Sequence, residues 1–426
     1  MKASPGRALL VSGALGATGS PIEVLVVGGS IVGTGPCLRE HCADGKARTM
    51  ELPGFALLAA AAEPHCHLDK AFAAGRAANP AGDLRGAVRA QHDLLASMTL
   101  DDIAERASRA IALAVRHGFT ALRTHVSVAG TAGMRPIEAL VSLRRELIGV
   151  VDLQLVAMVA GPLSGRRGRA GRDSLTKALE QGADVVGGAP WLSQEPASAV
   201  DELTAAAAGG GHPIDLHIDE TTDAGVYTLE RYLERVERLG LGGRAVASHC
   251  VSLGQQPLER ARSTARAMAS CGVGVVVLPQ TNLVLQGRGT LTCTPRGLAP
   301  VQVLEEAGVV VAAGGDNWRD PFNPLGRADP IETAALLVAA GHLSPEKAYE
   351  MVSERARALM GLRSAALRPG DQADLLAISA GDVADAVAGA SEQRIVFHRG
   401  RVVAWTEVRS RRAPPVPRPR HGKAGQ

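Results

Sequence analysis

Eight short apolar runs, each long enough for a β-strand, follow one another between residues 57 and 314, at 57–67, 120–126, 153–159, 184–187, 214–218, 245–249, 273–278 and 309–314. Stretches of helical character at 99–117, 136–148, 174–181, 197–208, 224–239, 257–271 and 301–307 separate them. One of these opens with Thr99-Leu100-Asp101-Asp102, a capping hydroxyl followed by early carboxylates, and closes at His117-Gly118. Parallel strands need long crossover connections, and helices supply them, so such strict alternation leaves few folds open. Eight units of this kind predict an α/β chain closed into a (β/α)8 TIM-type barrel, with functional residues gathered at the C-terminal strand ends.

The flanks have a different character. Residues 22–27 and 30–35 read as two short strands around the turn Gly28-Gly29, and 374–378 and 395–403 have the same look. Both chain ends are therefore expected to build one small β-sandwich domain, over 1–57 and 366–408, beside a barrel at 58–365. No helix follows Gly28-Gly29 or Gly33-Thr34-Gly35, which argues against a nucleotide loop. Residues 409–426, rich in proline and arginine, read as a disordered tail. The net charge of +3 owes much to that tail, so the body offers no surface for nucleic acid. No apolar run of about 18 residues or more predicts a membrane span. The six cysteines have no paired metal spacing and read as thiols in a reducing compartment, which makes a cytoplasmic location the default. A homo-oligomer is left open.

Ligand-type residues sit where the strands end. His65-Cys66-His67 closes the first run, and side chains at i and i+2 of a strand share a face, so both imidazoles can grip one ion. A lone His-x-His is weak among twelve histidines. Three further strand ends strengthen it: His217-Ile218-Asp219-Glu220, Ser248-His249-Cys250 and Gly314-Gly315-Asp316-Asn317. Packing alone does not require such a set.

These residues, with Glu63-Pro64, Leu68-Asp69, Arg123-Thr124-His125-Val126, Gly182-Ala183-Asp184, Leu285-Gln286-Gly287-Arg288 and Asp320-Pro321, carry a resemblance. Over about residues 22–405 the chain resembles the cytosine deaminase branch of the amidohydrolase superfamily. The resemblance implies one divalent ion, Zn²⁺ or Fe²⁺, held by His65, His67, His217 and Asp316, with a position left for water. It further implies that Glu220 is the acid that protonates a ring nitrogen, while His249 and Asp316 orient and deprotonate the water. His125 is expected beneath the metal.

The substrate pocket departs from the cytosine enzymes. Those carry a Gln-Glu pair after strand three, whereas this chain has Ala157-Met158-Val159-Ala160-Gly161-Pro162, with no amide. Asn317 replaces a second aspartate, and Lys70 adds a cation, so an oxo-rich or anionic ring is expected rather than cytosine. In Leu68-Asp69-Lys70 and Asp316-Asn317 the chain also resembles hydrolases that release an alkylamine from N-alkylammelides. Trp318, Phe322, Asp184 and Gln286 are further expected to line the pocket, and residues 84–97 to cover it as a helix. The implied activity is metal-dependent deamination, or amine release, on a small heterocyclic substrate. Alternatives are a cyclic amidase that opens a lactam or imide ring and, further off, a metal-binding protein without catalysis.

Overall fold

A computed structural model describes residues 8–38, 47–409 and 411. Its centre is a parallel sheet of eight strands in sequence order: Ala61–Cys66, Phe119–Ser127, Asp152–Val159, Val185–Gly188, Ile214–Ile218, Ala245–His249, Val273–Val277 and Val311–Ala313. The first and last strands meet through a parallel bridge between Cys66 and Asp316, with the Asp316 N–H donating to the His65 carbonyl at 3.0 Å. That contact closes the barrel and sets Asp316 beside His65 and His67. The buried faces of these strands and of the surrounding helices form the main hydrophobic cluster. No helix among the described residues is long and apolar enough to cross a membrane.

Strands from both chain ends form a second eight-stranded sheet. Its order runs Arg401–Thr406, Arg394–His398, Leu375–Ser379, Phe55–Ala59, Leu9–Leu15, Pro21–Val27 and Ser30–Gly35, with Arg48–Glu51 also pairing Leu9–Leu15. Two hairpins in it turn on left-handed pairs, Gly28-Gly29 and Arg399-Gly400, the conformation that lets two residues connect antiparallel strands without splaying them. The strand Leu9–Leu15 escapes the sequence reading, as do the helices Pro330–Gly341 and Pro345–Val352.

The single strand expected over 57–67 is two. Phe55–Ala59 pairs with Leu375–Ser379 in the second sheet, while Ala61–Cys66 belongs to the barrel. Between them the Ala60 N–H donates to Asp374 and the Ala61 N–H to Gly118, so one continuous apolar run changes partners in mid-course. Apolarity alone carries no sign of that change. Of the tail expected at 409–426, all but Arg409 and Arg411 lie outside the described residues.

Candidate active site

At the C-terminal end of the barrel four side chains converge. The Nε2 atoms of His65 and His217 are 3.2 Å apart, and those of His67 and His217 3.3 Å. Asp316 Oδ1 lies 3.2 Å from His67 Nε2 and 3.7 Å from His65 Nε2. Neutral imidazoles and a carboxylate have no mutual attraction that holds bare acceptor atoms so close. The spacing matches the edge of a tetrahedron, about 3.3 Å, around an ion with bonds of about 2.0–2.1 Å. Both Asp316 oxygens are buried without a hydrogen-bond partner, as expected of a group whose partner is an ion. Burial pushes the pKa values of His65, His67 and His217 well below the usual range, helped at His67 by the Lys70 charge and at all three by neighbouring imidazoles, which keeps them in the neutral, ligating form.

Hydrogen bonds behind the ring fix two tautomers. His65 Nδ1 lies 2.9 Å from Ser248 Oγ, whose hydroxyl donates to Asp215 at 2.7 Å, and Asp215 in turn accepts from Arg123 at 3.1 Å. His65 therefore donates through Nδ1 and presents a bare Nε2. His67 does the same, its Nδ1 facing the His125 carbonyl at 3.2 Å. The His125 ring stacks on His65 at 3.8 Å between centroids, with neither ring nitrogen hydrogen-bonded. One nitrogen from each of His65, His125 and His217 falls within a common 4.8 Å, as does one ligand atom from each of His65, His249 and Asp316. His125 thus lies against the cluster.

Sequence reasoning gives Glu63 no role. Its carboxylate accepts from the His65 N–H at 3.0 Å and the Gly315 N–H at 2.8 Å, joining the first and last strands beneath the site. Burial raises its pKa to about 8, against the pull of those two N–H groups. The missing side chain at Gly314 makes room, since a Cβ there would overlap the Glu63 carboxylate.

The remaining reactive groups stand on strand ends that bend. Asp219, His249 and Asp316 have φ of +48°, +73° and +58°, left-handed conformations that non-glycine residues rarely adopt. Asp219 holds its turn by accepting from the Thr228 and Leu229 N–H groups at 2.9 and 3.1 Å, at the start of helix Leu229–Leu239. The neighbouring Glu220 is directed inward. Its Oε1 is buried and without a hydrogen bond, 3.6 Å from His249 Nδ1. Burial, with the Asp316 carboxylate adding to it, pushes the Glu220 carboxyl well above the usual range. His249 Nδ1 also lies 3.0 Å from Asn282 Oδ1, and Asn282 is oriented by donating to Gly297 at 3.0 Å. The Nδ1 of His249 therefore carries the proton, and its buried Nε2 is bare. Burial brings its pKa down to about 4, despite Asp316 and Asn282.

A cavity opens over this cluster. His67, His217, Glu220, His249 and Asp316 form its floor, with Lys70, Asn317 and Phe322 on one wall and Met158, Ala160, Ala189 and Leu192 on another. The helix Leu84–Ser97 closes the mouth with Leu84, Val88 and Gln91. Three residues expected in the lining are elsewhere. Asp184 precedes its strand, so it sits at the opposite barrel end, bonded to Arg144 at 2.7 Å and to the Leu155 N–H at 2.8 Å. Trp318 is buried against Phe119 in the core, in a segment flanked by Asp316 and Arg319, both with positive φ. Gln286 acts from behind, donating to the Glu220 carbonyl at 3.1 Å.

The sequence profile of the amidohydrolase family matches residues 51–404. Over 347 residues the chain is 31% identical to the pterin deaminase of Rhizobium rhizogenes, covering 80% of this chain and 79% of that protein. The 5-methylcytosine deaminase of Klebsiella pneumoniae superposes with a TM-score of 0.87 at 26% identity, over 95% of this chain and 99% of that one. The N-isopropylammelide isopropylaminohydrolase of Burkholderia multivorans gives 0.80 at 29%, over 93% and 98%. A barrel of this topology, a His/His/His/Asp cluster at its C-terminal end and a match of this length define the class: the chain belongs to the amidohydrolase family. It is an enzyme acting on carbon–nitrogen bonds other than peptide bonds.

Proposed function

We propose that this enzyme removes ammonia or an amine from a nitrogen heterocycle rich in oxo groups, using one divalent ion, Zn²⁺ or Fe²⁺, held by His65, His67, His217 and Asp316. One observation carries the reading. Glu220 Oε1, His249 Nε2 and both Asp316 oxygens are buried without hydrogen bonds at the floor of one cavity. A purely structural metal site has no use for the first two. The ion supplies Lewis acidity, which brings the ionisation of water toward neutral pH. Asp316 orients the attacking water, and His249 takes its proton at Nε2. Glu220 gives its proton to the ring nitrogen beside the carbon under attack. As that carbon expels its exocyclic nitrogen, the departing amine leaves with a proton relayed through the same carboxyl.

Lys70 supports an oxo-rich or anionic ring. It is buried, and its ammonium makes no salt bridge or hydrogen bond among the described residues, lying 4.9 Å from the Phe322 ring centroid. A buried cation in a substrate cavity is satisfied by a carbonyl or anionic edge. The wall formed by Met158 and Ala160 has no amide to read a cytosine edge. The names of two relatives, a pterin deaminase and an N-isopropylammelide hydrolase, agree with such rings. The test is amine release by metal-loaded protein from pterin, N-isopropylammelide and cytosine. Release from either oxo ring with little from cytosine is expected. Efficient turnover of cytosine would contradict the pocket reading, and a ring-opened carboxylate without free amine would make the enzyme a cyclic amidase.

A further inference from the structure

The helix Leu84–Ser97 presents Leu84, Val88 and Gln91 to the cavity, at the i, i+4, i+7 spacing of a single helix face. Gln91 is the polar member. Its Nε2 donates to Ser127 Oγ at 3.2 Å, and the Ser127 N–H donates to Asp69 at 3.0 Å, beside Lys70 in the chain. Donation through Nε2 turns the other half of the amide, Oε1, away from Ser127, and it accepts no hydrogen bond from the described residues. Away from the reactive floor, the cavity therefore offers an acceptor on half-buried Gln91 and a cationic donor on Lys70, neither with a hydrogen bond at that atom among the described residues, while Met158 and Ala160 offer neither. A ring edge with N–H beside C=O satisfies both groups.

Resting on the reading of this cavity as the substrate site, we propose that Gln91 determines specificity: its Oε1 accepts a ring N–H bonded directly to the carbon that loses its amine, with Lys70 taking the carbonyl next in the ring, an arrangement that pterin and N-isopropylammelide have and that cytosine, whose N–H lies across the ring from that carbon, lacks. A site built to bond an N–H discriminates against the analogue that lacks it, because the acceptor is left unpaired.

The probes are pterin and its N3-methyl derivative, in which the lactam N–H is replaced. They are compared on the zinc-loaded full chain by kcat/KM for ammonia release and, with turnover suppressed by Glu220→Gln in every protein titrated, by Kd from calorimetry. The unmodified enzyme should favour pterin by about 10-fold or more. Gln91→Met keeps side-chain length and removes the acceptor, so the ratio should fall to about 3-fold or less in both measurements, with metal content and melting temperature unchanged. Gln91→Glu keeps an acceptor without a donor and should retain the preference. The inference is overturned if the unmodified enzyme binds neither ring or binds both equally. An unchanged ratio in Gln91→Met, or a preference lost in Gln91→Glu, also overturns it. A Kd ratio that responds to Gln91 without ammonia release from either ring would uphold the inference and refute the deaminase reading instead.

Discussion

Glu220 and His65 illustrate two different demands on a buried polar residue. Glu220 has to move a proton, and its buried Oε1 without a hydrogen bond is free to do so. Glu220→Gln should keep fold and metal and lower kcat by about 10²-fold or more, since an amide can bond the ring nitrogen but cannot transfer a proton. Turnover close to that of the parent would move the acid's role to another residue. His65 has to hold an ion, with its tautomer fixed through Ser248 and Asp215. His65→Ala or Asp316→Ala should lose the metal, and elemental analysis of the parent should give about one ion per chain. Two ions per chain would refute the mononuclear site. For Lys70→Met, KM for an anionic ring should rise about 10- to 150-fold, the loss of one charge-assisted hydrogen bond, with a neutral ring much less affected. Equal effects on both would mean that the ammonium does not touch substrate.

Elements matter here through their ends. Four barrel strands deliver the site, and the first and last are joined by the Cys66–Asp316 bridge and by Glu63 reaching from one to the other. Gly314 is the weak point of that junction. Gly314→Ala should displace the Glu63 carboxylate, destabilise the fold by about 1–3 kcal/mol as overpacking does, and weaken metal retention by shifting Asp316. Denaturant melts and metal content measured together check this. Parent-like values for both would show that Glu63 can retract at little cost. The fifth strand depends instead on a helix start, where Asp219 caps Leu229–Leu239 and thereby fixes the turn carrying Glu220.

On the scale of the molecule, the two sheets are joined by buried ion pairs. Arg394 of the second sheet forms a two-pronged pair with Asp329 at 2.8 and 2.9 Å and also donates to the His117 carbonyl at 2.7 Å, tying that sheet to the end of a barrel helix. Asp374 accepts from Arg357 at 3.1 Å and from the Arg399 N–H at 2.7 Å, with His398 Nδ1 3.2 Å away. Burial alone would raise the Asp374 pKa, yet His398, Arg357 and the Arg399 N–H together hold it at about 2. A carboxyl whose folded pKa lies below its unfolded value stabilises the fold above the unfolded pKa, and that stability disappears as pH falls through the folded one. Asp374 should therefore contribute about 2 kcal/mol that is present above pH ~4 and lost on approach to pH ~2. Urea midpoints across that window should fall less steeply for Asp374→Asn than for the parent. The variant should also be less stable at pH 7, because it leaves Arg357 buried without its counter-charge. Identical pH profiles would contradict this account.

Periodicity and local chemistry determined much of this protein. The alternation of apolar runs with helical stretches is a local property, and it foretold the barrel. Strand parity placed His65 and His67 on one face, and the glycine turn marked the hairpin at Gly28-Gly29. Other features depend on which segments meet, and only the tertiary structure decided them. The run 57–67 changes sheets at Ala60 because hydrogen-bond partners come from residues 118 and 374, far along the chain. Asp184 and Trp318 have a suitable chemistry and neighbourhood in sequence, but one lies at the wrong end of its strand and the other is buried in the core, in a segment flanked by left-handed residues. Glu63, Ser248 and Asp215 bond across strands, and Gln91 reaches the cavity from a helix whose docking no local pattern specifies. Side-chain type and spacing are written along the chain. The direction in which a side chain points into a shared cavity is a relation between distant backbones, and it exists only once they are packed together.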